Sequence, residues 1–197
     1  SVHDPDEYLM AATCEADRAK RVDDILGAYK ALFELKEKGE VKAVGIGATD
    51  WLVIKELYEK VKFDWVMFAN KLTLYHHPVE IVEFIERIHA DGVGIINSAI
   101  FNAGFLTGGD FFDYRKLDPN SELDRELFAW RNTFFAICEK HYVAPGDACL
   151  HFALAMPQVC AVALNPSKPE RIARNVEVLE TLLPRAFWQE LKTEKII

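Results

Sequence analysis

The chain has 197 residues, 50% of them hydrophobic, with 31 acidic against 23 basic side chains and a formal net charge of −8. That composition suits a globular protein with a sizeable core, and the acidic balance disfavours nucleic acid or an anionic membrane as the main partner. No apolar run approaches a bilayer span, no signal peptide is visible, and Cys14, Cys138, Cys149 and Cys160 form no CxxC pair. They read as buried or bystander thiols in a reducing compartment, which makes a cytoplasmic location the expectation.

The chain opens with "SVHDPDEY". A strand takes roughly five residues to pair well, so Ser1-Val2-His3 reads as the last residues of one. From Asp23 to Lys38 the apolar Ile25, Tyr29, Leu32 and Phe33 share a helical face, and Gly39 stands where a C-terminal stop belongs. "VKAVGIGATD" then reads as a buried strand, "WLVIKELYEKV" as a helix and "FDWVMFANKLTL" as an extended segment. Pro78 opens the helix "PVEIVEFIERIHADG", and "VGIINSAIF" is a further strand. A loop rich in glycine and aromatics follows, then helical stretches over Leu123–His141 and Gly146–Ala155. "VCAVALN" is the last strand and "PERIARNVEVLETL" the last amphipathic helix of this pattern.

Apolar strands alternating with helices mean βα units and a parallel sheet buried on both faces. No low-complexity linker interrupts residues 1–197, which predicts a single domain. Counting the stub at His3, about five strands are each followed by a helix. Two architectures fit, an open doubly wound sheet and part of a (β/α)8 barrel. A complete barrel takes about 250 residues, roughly three βα units more than are present.

Functional groups in parallel α/β folds gather where strands end. Those positions hold His3 and Asp4, Thr49 and Asp50, Asn70 and Lys71, Asn97 and Ser98, and Asn165 to Lys168. His3 suits a metal ligand, an acid/base or a strand-end cap. His89, His141 and His151 lie in helical stretches and His76 and His77 in a loop, so no ligand set forms and metal is not expected. There is no GxSxG elbow, no Walker loop and no GxGxxG after a strand. In "NPSKPERIARN", Ser167, Lys168, Arg171 and Arg174 surround the first turns of a helix. A helix N-terminus favours anions. The segment is therefore either a phosphate cradle or a solvated basic face.

Taken together, these segments resemble the aldo-keto reductases, NAD(P)-dependent oxidoreductases built on a (β/α)8 barrel. The likeness is to the branch acting on L-fucose, D-arabinose and other D-threo-aldoses, with pyridoxal 4-dehydrogenase nearby. "VHDPDEY" resembles the fourth-strand motif with its histidine, "EKGEVKAVGIGATDW" the fifth strand, and "GVGIINSAIFNAGFLTGGDFFDYR" the seventh strand and its long loop. "NPSKPERIARNVEVLE" resembles the eighth, cofactor-binding unit, and "LPRAFWQELKTEKII" the C-terminal tail.

The resemblance implies an incomplete barrel, strands four to eight, with the family's catalytic aspartate, tyrosine and lysine absent from these residues. It implies that His3 orients the substrate carbonyl and supports proton transfer. Thr49 and Asp50 stand where a Ser-Asn pair holds the nicotinamide carboxamide, and Trp51 beside them is assigned to substrate. Ala69 replaces a glutamine of many members, and Ser98 a tyrosine that stacks on the nicotinamide ring. Ser167, Lys168, Arg171 and Asn175 align with the residues that hold the adenosine ribose, any 2′-phosphate and the adenine, and Asn70, Ser98 and Asn165 are expected to line the same nucleotide. The implied cofactor is NADP or NAD and the substrate an aldose or related aldehyde. The alternative is a remnant or nucleotide-binding module without the chemistry. A sheet with open edges further predicts self-association, or pairing with a missing N-terminal portion.

Overall fold

The apolar runs do pair as strands. In the computed structural model, which describes every residue except Pro157 and Ser167, five strands form one parallel sheet. They are β1 (Val2–His3), β2 (Gly45–Ala48), β3 (Trp65–Ala69), β4 (Gly94–Ser98) and β7 (Val159–Ala163), adjacent in that order. Each strand-to-strand crossover carries helix: α1 (Pro5–Met10) and α2 (Glu15–Glu37), then α3 (Trp51–Tyr58), then α4 (Val79–Ala90), then α5 (Arg125–Lys140) and α6 (Pro145–Ala155). Helices α7 (Glu170–Leu179) and α8 (Arg185–Thr193) complete the chain.

The expectation of a sheet buried on both faces needs correction. Along β3 and β4, Val66, Phe68 and Ile95 are buried and pack with Ile25 and Tyr29 of α2, Ile54 and Leu57 of α3, and Ile81 and Phe84 of α4. The alternating residues Trp65, Met67, Ala69, Ile96 and Ser98 are half-buried. Side chains of a strand point to opposite faces with period two, and the main core lies on one face. On β7, Cys160 and Ala161 are exposed, as are Ile172, Val176 and Leu179 of α7.

Gly45 shows why this strand segment is glycine-rich. A Cβ there would stand 2.2 Å from the Trp65 ring and 2.4 Å from the Trp65 carbonyl oxygen. The indole of β3 therefore lies across the β2 backbone, a close approach that only glycine permits.

A second core gathers Phe105, Leu106, Phe134, Ile137, Phe187 and Leu191 under the long segment after β4. That segment, read as a loop, contains a two-stranded hairpin of β5 (Phe111–Phe112) and β6 (Arg115–Lys116). Its tip is Asp113 (φ 45°) and Tyr114 (φ 69°). Positive φ at both central residues is the requirement of a type I′ turn, normally met by Asn-Gly. Arg131 fastens the segment to α5. Its Nη1 donates to the Gly109 carbonyl at 2.8 Å, and its guanidinium lies 4.5 Å from the Phe105 ring centre and 4.8 Å from that of Phe128.

Helix α2 begins eight residues before the predicted Asp23, at Glu15, with the Cys14 side chain accepting from the Asp17 backbone N–H. Its first turns are charged and carry no apolar period. Cys138 and Cys149 are buried free thiols, Cys14 and Cys160 exposed ones. Burial pushes the Cys138 thiol up to about 12 and raises that of Cys149 as well, so both stay protonated and unreactive at neutral pH. No helix among the described residues is long and apolar enough to cross a membrane.

Candidate active site

β1 and β4 end on the polar His3 and Ser98, and β2 and β3 are followed at once by Thr49 and Asn70, because the chain there leaves the core for a loop. A cavity of about 890 Å³ opens over those ends, walled by His3 after Val2, Thr49 after β2, Ala69 and Ser98 closing β3 and β4, and Asn165 after β7. Arg171 and Asn175 reach the same cavity from α7. Six of the expected site residues thus converge: His3, Thr49, Ser98, Asn165, Arg171 and Asn175.

The remainder are placed differently. Asp50, Trp51 and Asn70 line a second cavity of about 410 Å³, reached past Thr49 and Tyr114, which border both. The Asp50 carboxylate accepts from the Leu52 backbone N–H at 2.9 Å and caps α3. Lys168 is exposed and outside the wall of the main cavity. Ser167 lies outside the described residues. Arg174, read as part of an anion cradle, instead pairs with Asp147 of α6 at 2.7 Å. Ser98 borders the cavity, but its hydroxyl donates to the Phe68 carbonyl at 3.0 Å and secures β4 to β3.

At the His3 end, Nδ1 stands 2.7 Å from the Asp4 carboxylate, with the His3 side chain 72% exposed. An Nδ1–H on that carboxylate leaves Nε2 as the acceptor of a neutral ring. Asp4 itself has φ 49°, and its backbone N–H donates to the Gly47 carbonyl at 2.8 Å, tying the end of β1 to β2.

Asp6 is a residue the sequence reading missed. It is buried, and one oxygen, Oδ2, accepts from the Thr49 backbone N–H at 3.1 Å, the Thr49 hydroxyl at 2.7 Å and the Asp50 N–H at 2.8 Å. Helix α1 thereby fixes the residue expected at the carboxamide. With its proton committed to Asp6, the Thr49 hydroxyl can offer only lone pairs to a ligand, which suits an amide N–H donor.

The far wall is the start of the long loop. Asn102 (φ 45°), Ala103 (φ 57°) and Gly104 (φ 92°) follow one another in the left-handed region, with Ala99 (φ 52°) just before. Ala99, Ala103 and Gly104 border the cavity. Within this run the N–H groups of Asn102 and Gly104 are spent inside the loop, on the Ala99 carbonyl at 3.1 Å and the Phe101 carbonyl at 3.0 Å. Among the described residues no three His, Cys, Asp or Glu side chains stand close enough to hold a metal ion.

The hairpin beside the cavity is anchored by Asp124, 1% exposed, which accepts from Arg115 Nη1 at 3.1 Å and from the Asp118 N–H at 2.9 Å. The Arg115 guanidinium, helped by that N–H, holds the Asp124 carboxyl below the usual carboxylate value. A depressed folded-state value means that the contribution is complete above the ordinary carboxylate range and is lost as pH falls through the depressed one. Asp124→Asn at neutral pH is expected to reproduce the acid effect. The readout is faster hydrogen exchange at the Leu117 amide, which bonds Asp110 across the hairpin base at 2.8 Å. Wild-type protection in that variant would mean the carboxylate does not hold the hairpin.

Parallel βα units with a cavity of about 890 Å³ over the C-terminal ends of the strands define an α/β fold whose candidate site lies at that face. The Aldo/keto reductase family profile matches residues 1–195, and the chain belongs to that family. It is 28% identical over 175 residues to the pyridoxal 4-dehydrogenase of Microbacterium luteolum, covering 87% of this chain and 49% of that protein. To a D-threo-aldose 1-dehydrogenase of a Pseudomonas species it is 26% identical over 201 residues, covering 100% of this chain and 56% of that one. The chain thus spans about half the length of these curated relatives. The holo form of aldo-keto reductase AKR11C1 from Bacillus halodurans superposes with a TM-score of 0.57 at 23% identity, over 82% of this chain and 54% of that one. A thermostable aldo-keto reductase solved with the inhibitor epalrestat gives 0.55 at 17% identity, over 83% and 52%. Both share the α/β fold with its parallel sheet and helices.

Proposed function

We propose that the intact protein is an NAD(P)-dependent oxidoreductase of aldoses or related aldehydes, with the nucleotide in the main cavity. The observation that carries this reading is the convergence of His3, Thr49, Asn165, Arg171 and Asn175 on one cavity of about 890 Å³. The residues present suit such a group. Thr49 presents lone pairs to a carboxamide, and the exposed Arg171 offers charge to a ribose phosphate. Bound there, the nicotinamide supplies or accepts a hydride at its C4.

The chain's own part is to position and to hold the proton. With Asp4 on Nδ1, neutral His3 presents Nε2 as an acceptor for the hydroxyl of an alcohol or hemiacetal, the bonding that oxidation requires. A protonated ring would donate to the carbonyl oxygen in the reverse direction. The half-buried face of β3 and β4 and the exposed Cys160 and Ala161 of β7 support reading the sheet as part of an eight-stranded barrel. The second reading, nucleotide binding without chemistry, shares the cavity and differs in turnover.

The test is cofactor discrimination. A charge-assisted hydrogen bond to a 2′-phosphate is worth roughly 1.5–3 kcal/mol. Arg171→Ala in the intact protein is therefore expected to weaken NADP about ten- to a hundred-fold and NAD far less, measured by nucleotide titration. Equal losses would make Arg171 part of the helix surface, and no nucleotide binding to the wild type would end the reading.

A further inference from the structure

The second cavity is unlike the first in chemistry. Its wall alternates charge and aromatic surface, with the carboxylate of Asp113 3.9 Å from the Lys71 ammonium, and Trp51, His76 and Tyr114 around them. Asn70 also lies in this wall. Its side chain is 98% buried from solvent by the 2% exposure of the residue, and its Oδ1 has no hydrogen-bond partner among the described residues.

The wall is also held in position. Asn102 donates from Nδ2 to Asp113 at 2.9 Å, fixing the hairpin tip from one side while Lys71 faces it from the other. His76 is pinned by reciprocal bonds with Thr73, its N–H to the Thr73 hydroxyl at 3.0 Å and its carbonyl to the Thr73 N–H at 2.8 Å. Burial, then the neighbouring Lys71, favours the neutral His76 ring, which both donates and accepts. The turn places Tyr114, 70% exposed and at φ 69°, on the border of the two cavities. A bulky residue in the left-handed region is a genuine outlier.

We propose that this side cavity is the subsite for the hydroxylated carbons of a neutral polyhydroxy aldehyde, remote from its reacting carbon, with Tyr114 dividing it from the cofactor cavity. The inference rests on the aldehyde-oxidoreductase reading above and extends it. Carboxylates accept from hydroxyls, Lys71 and His76 donate to them, and the Trp51 and Tyr114 rings cover the C–H faces of a sugar. About 410 Å³ accommodates a chain of several hydroxylated carbons. With Asp50 and Asp113 against Lys71, the cavity carries no excess positive charge, which disfavours a phosphorylated or carboxylated tail.

The experiment compares an aldopentose with glycolaldehyde, which has a single hydroxylated carbon beyond the carbonyl, in the intact protein and its Lys71→Met and Tyr114→Gly variants. Glycine suits the φ of Tyr114, so that variant tests the ring and not the turn. Both variants are expected to reduce kcat/KM for the pentose at least ten-fold more than for glycolaldehyde. In parallel, a pentitol, which lacks the aldehyde, should quench the part of the fluorescence that Trp51→Phe removes, and Lys71→Met should abolish that quenching. Equal losses for pentose and glycolaldehyde would overturn the subsite while leaving the oxidoreductase reading intact. Quenching lost in Lys71→Met, in a wild type that turns over no aldose, would uphold the subsite and overturn the reading. Pyridoxal, a flat aromatic aldehyde, losing more than the pentose would show that the cavity reads ring stacking, and the polyol assignment would fall.

Discussion

His3→Ala in the intact protein is expected to lower turnover by about 10²–10⁴, the usual worth of a positioned acid/base group, while its melting temperature barely moves. The two halves of that expectation come from the same geometry. The His3 side chain is 72% exposed and its recorded partner is Asp4 at 2.7 Å, so little packing is lost with it. Exposed substitutions of this kind stay within about 0.5 kcal/mol of the parent. Yet the ring stands in the wall of the main cavity, one strand away from Thr49. The comparison needs steady-state kinetics and a melting curve on the same preparation. Unaltered turnover would return His3 to the role of a strand-end polar group.

Asp6→Ala is expected to have the largest effect on stability. Its Oδ2 satisfies two backbone N–H groups and one hydroxyl across 43 and 44 residues of sequence. The donors are half-buried, so each one left unpaired costs at the low end of about 1–3 kcal/mol. A net loss of about 3 kcal/mol corresponds to a fall of roughly 6–12 °C for a chain of this size. Asp6→Asn keeps one acceptor oxygen and should recover most of it. Nucleotide affinity should fall with Asp6→Ala as well, because Thr49 and the cap of α3 lose their common anchor. A variant that melts as the parent does would show that the three donors find other partners.

What the sequence makes legible follows from how local the physics is. The cores of β2, β3 and β4 stand out because each is a short apolar run closed by a polar residue, and α4 because its buried Ile81, Phe84, Ile85 and Ile88 keep the helical period after Pro78. The opening turns of α2 leave no such trace, since Glu15 to Arg21 carry mostly charge and alanine. The hairpin is silent for a related reason: its tip is Asp-Tyr, where the readable signal is Asn-Gly. The strand-end residues could be gathered from the alternation of elements alone. Their division between two cavities could not, because it depends on where the segment from Ile100 to Lys116 comes to rest. Asp6 was illegible for the same reason, its partners being 43 and 44 residues away.

The one-sided core has a consequence for how this sequence can change. Along β3, Val66 and Phe68 belong to the packed face while Trp65, Met67 and Ala69 belong to the open one, and β4 repeats the pattern with Ile95 against Ile96 and Ser98. Successive residues of one strand therefore answer to different selections. Every second position is constrained by packing, where loss of a methylene is felt throughout the domain. Between them, Met67 and Ala69 border the cavity and can drift with the ligand while the fold stands, whereas Trp65 is fitted to Gly45 and Ser98 secures β4 to β3. The lining of the cavity is adjustable at a two-residue stride, one side chain at a time, without passing through an unfolded ancestor.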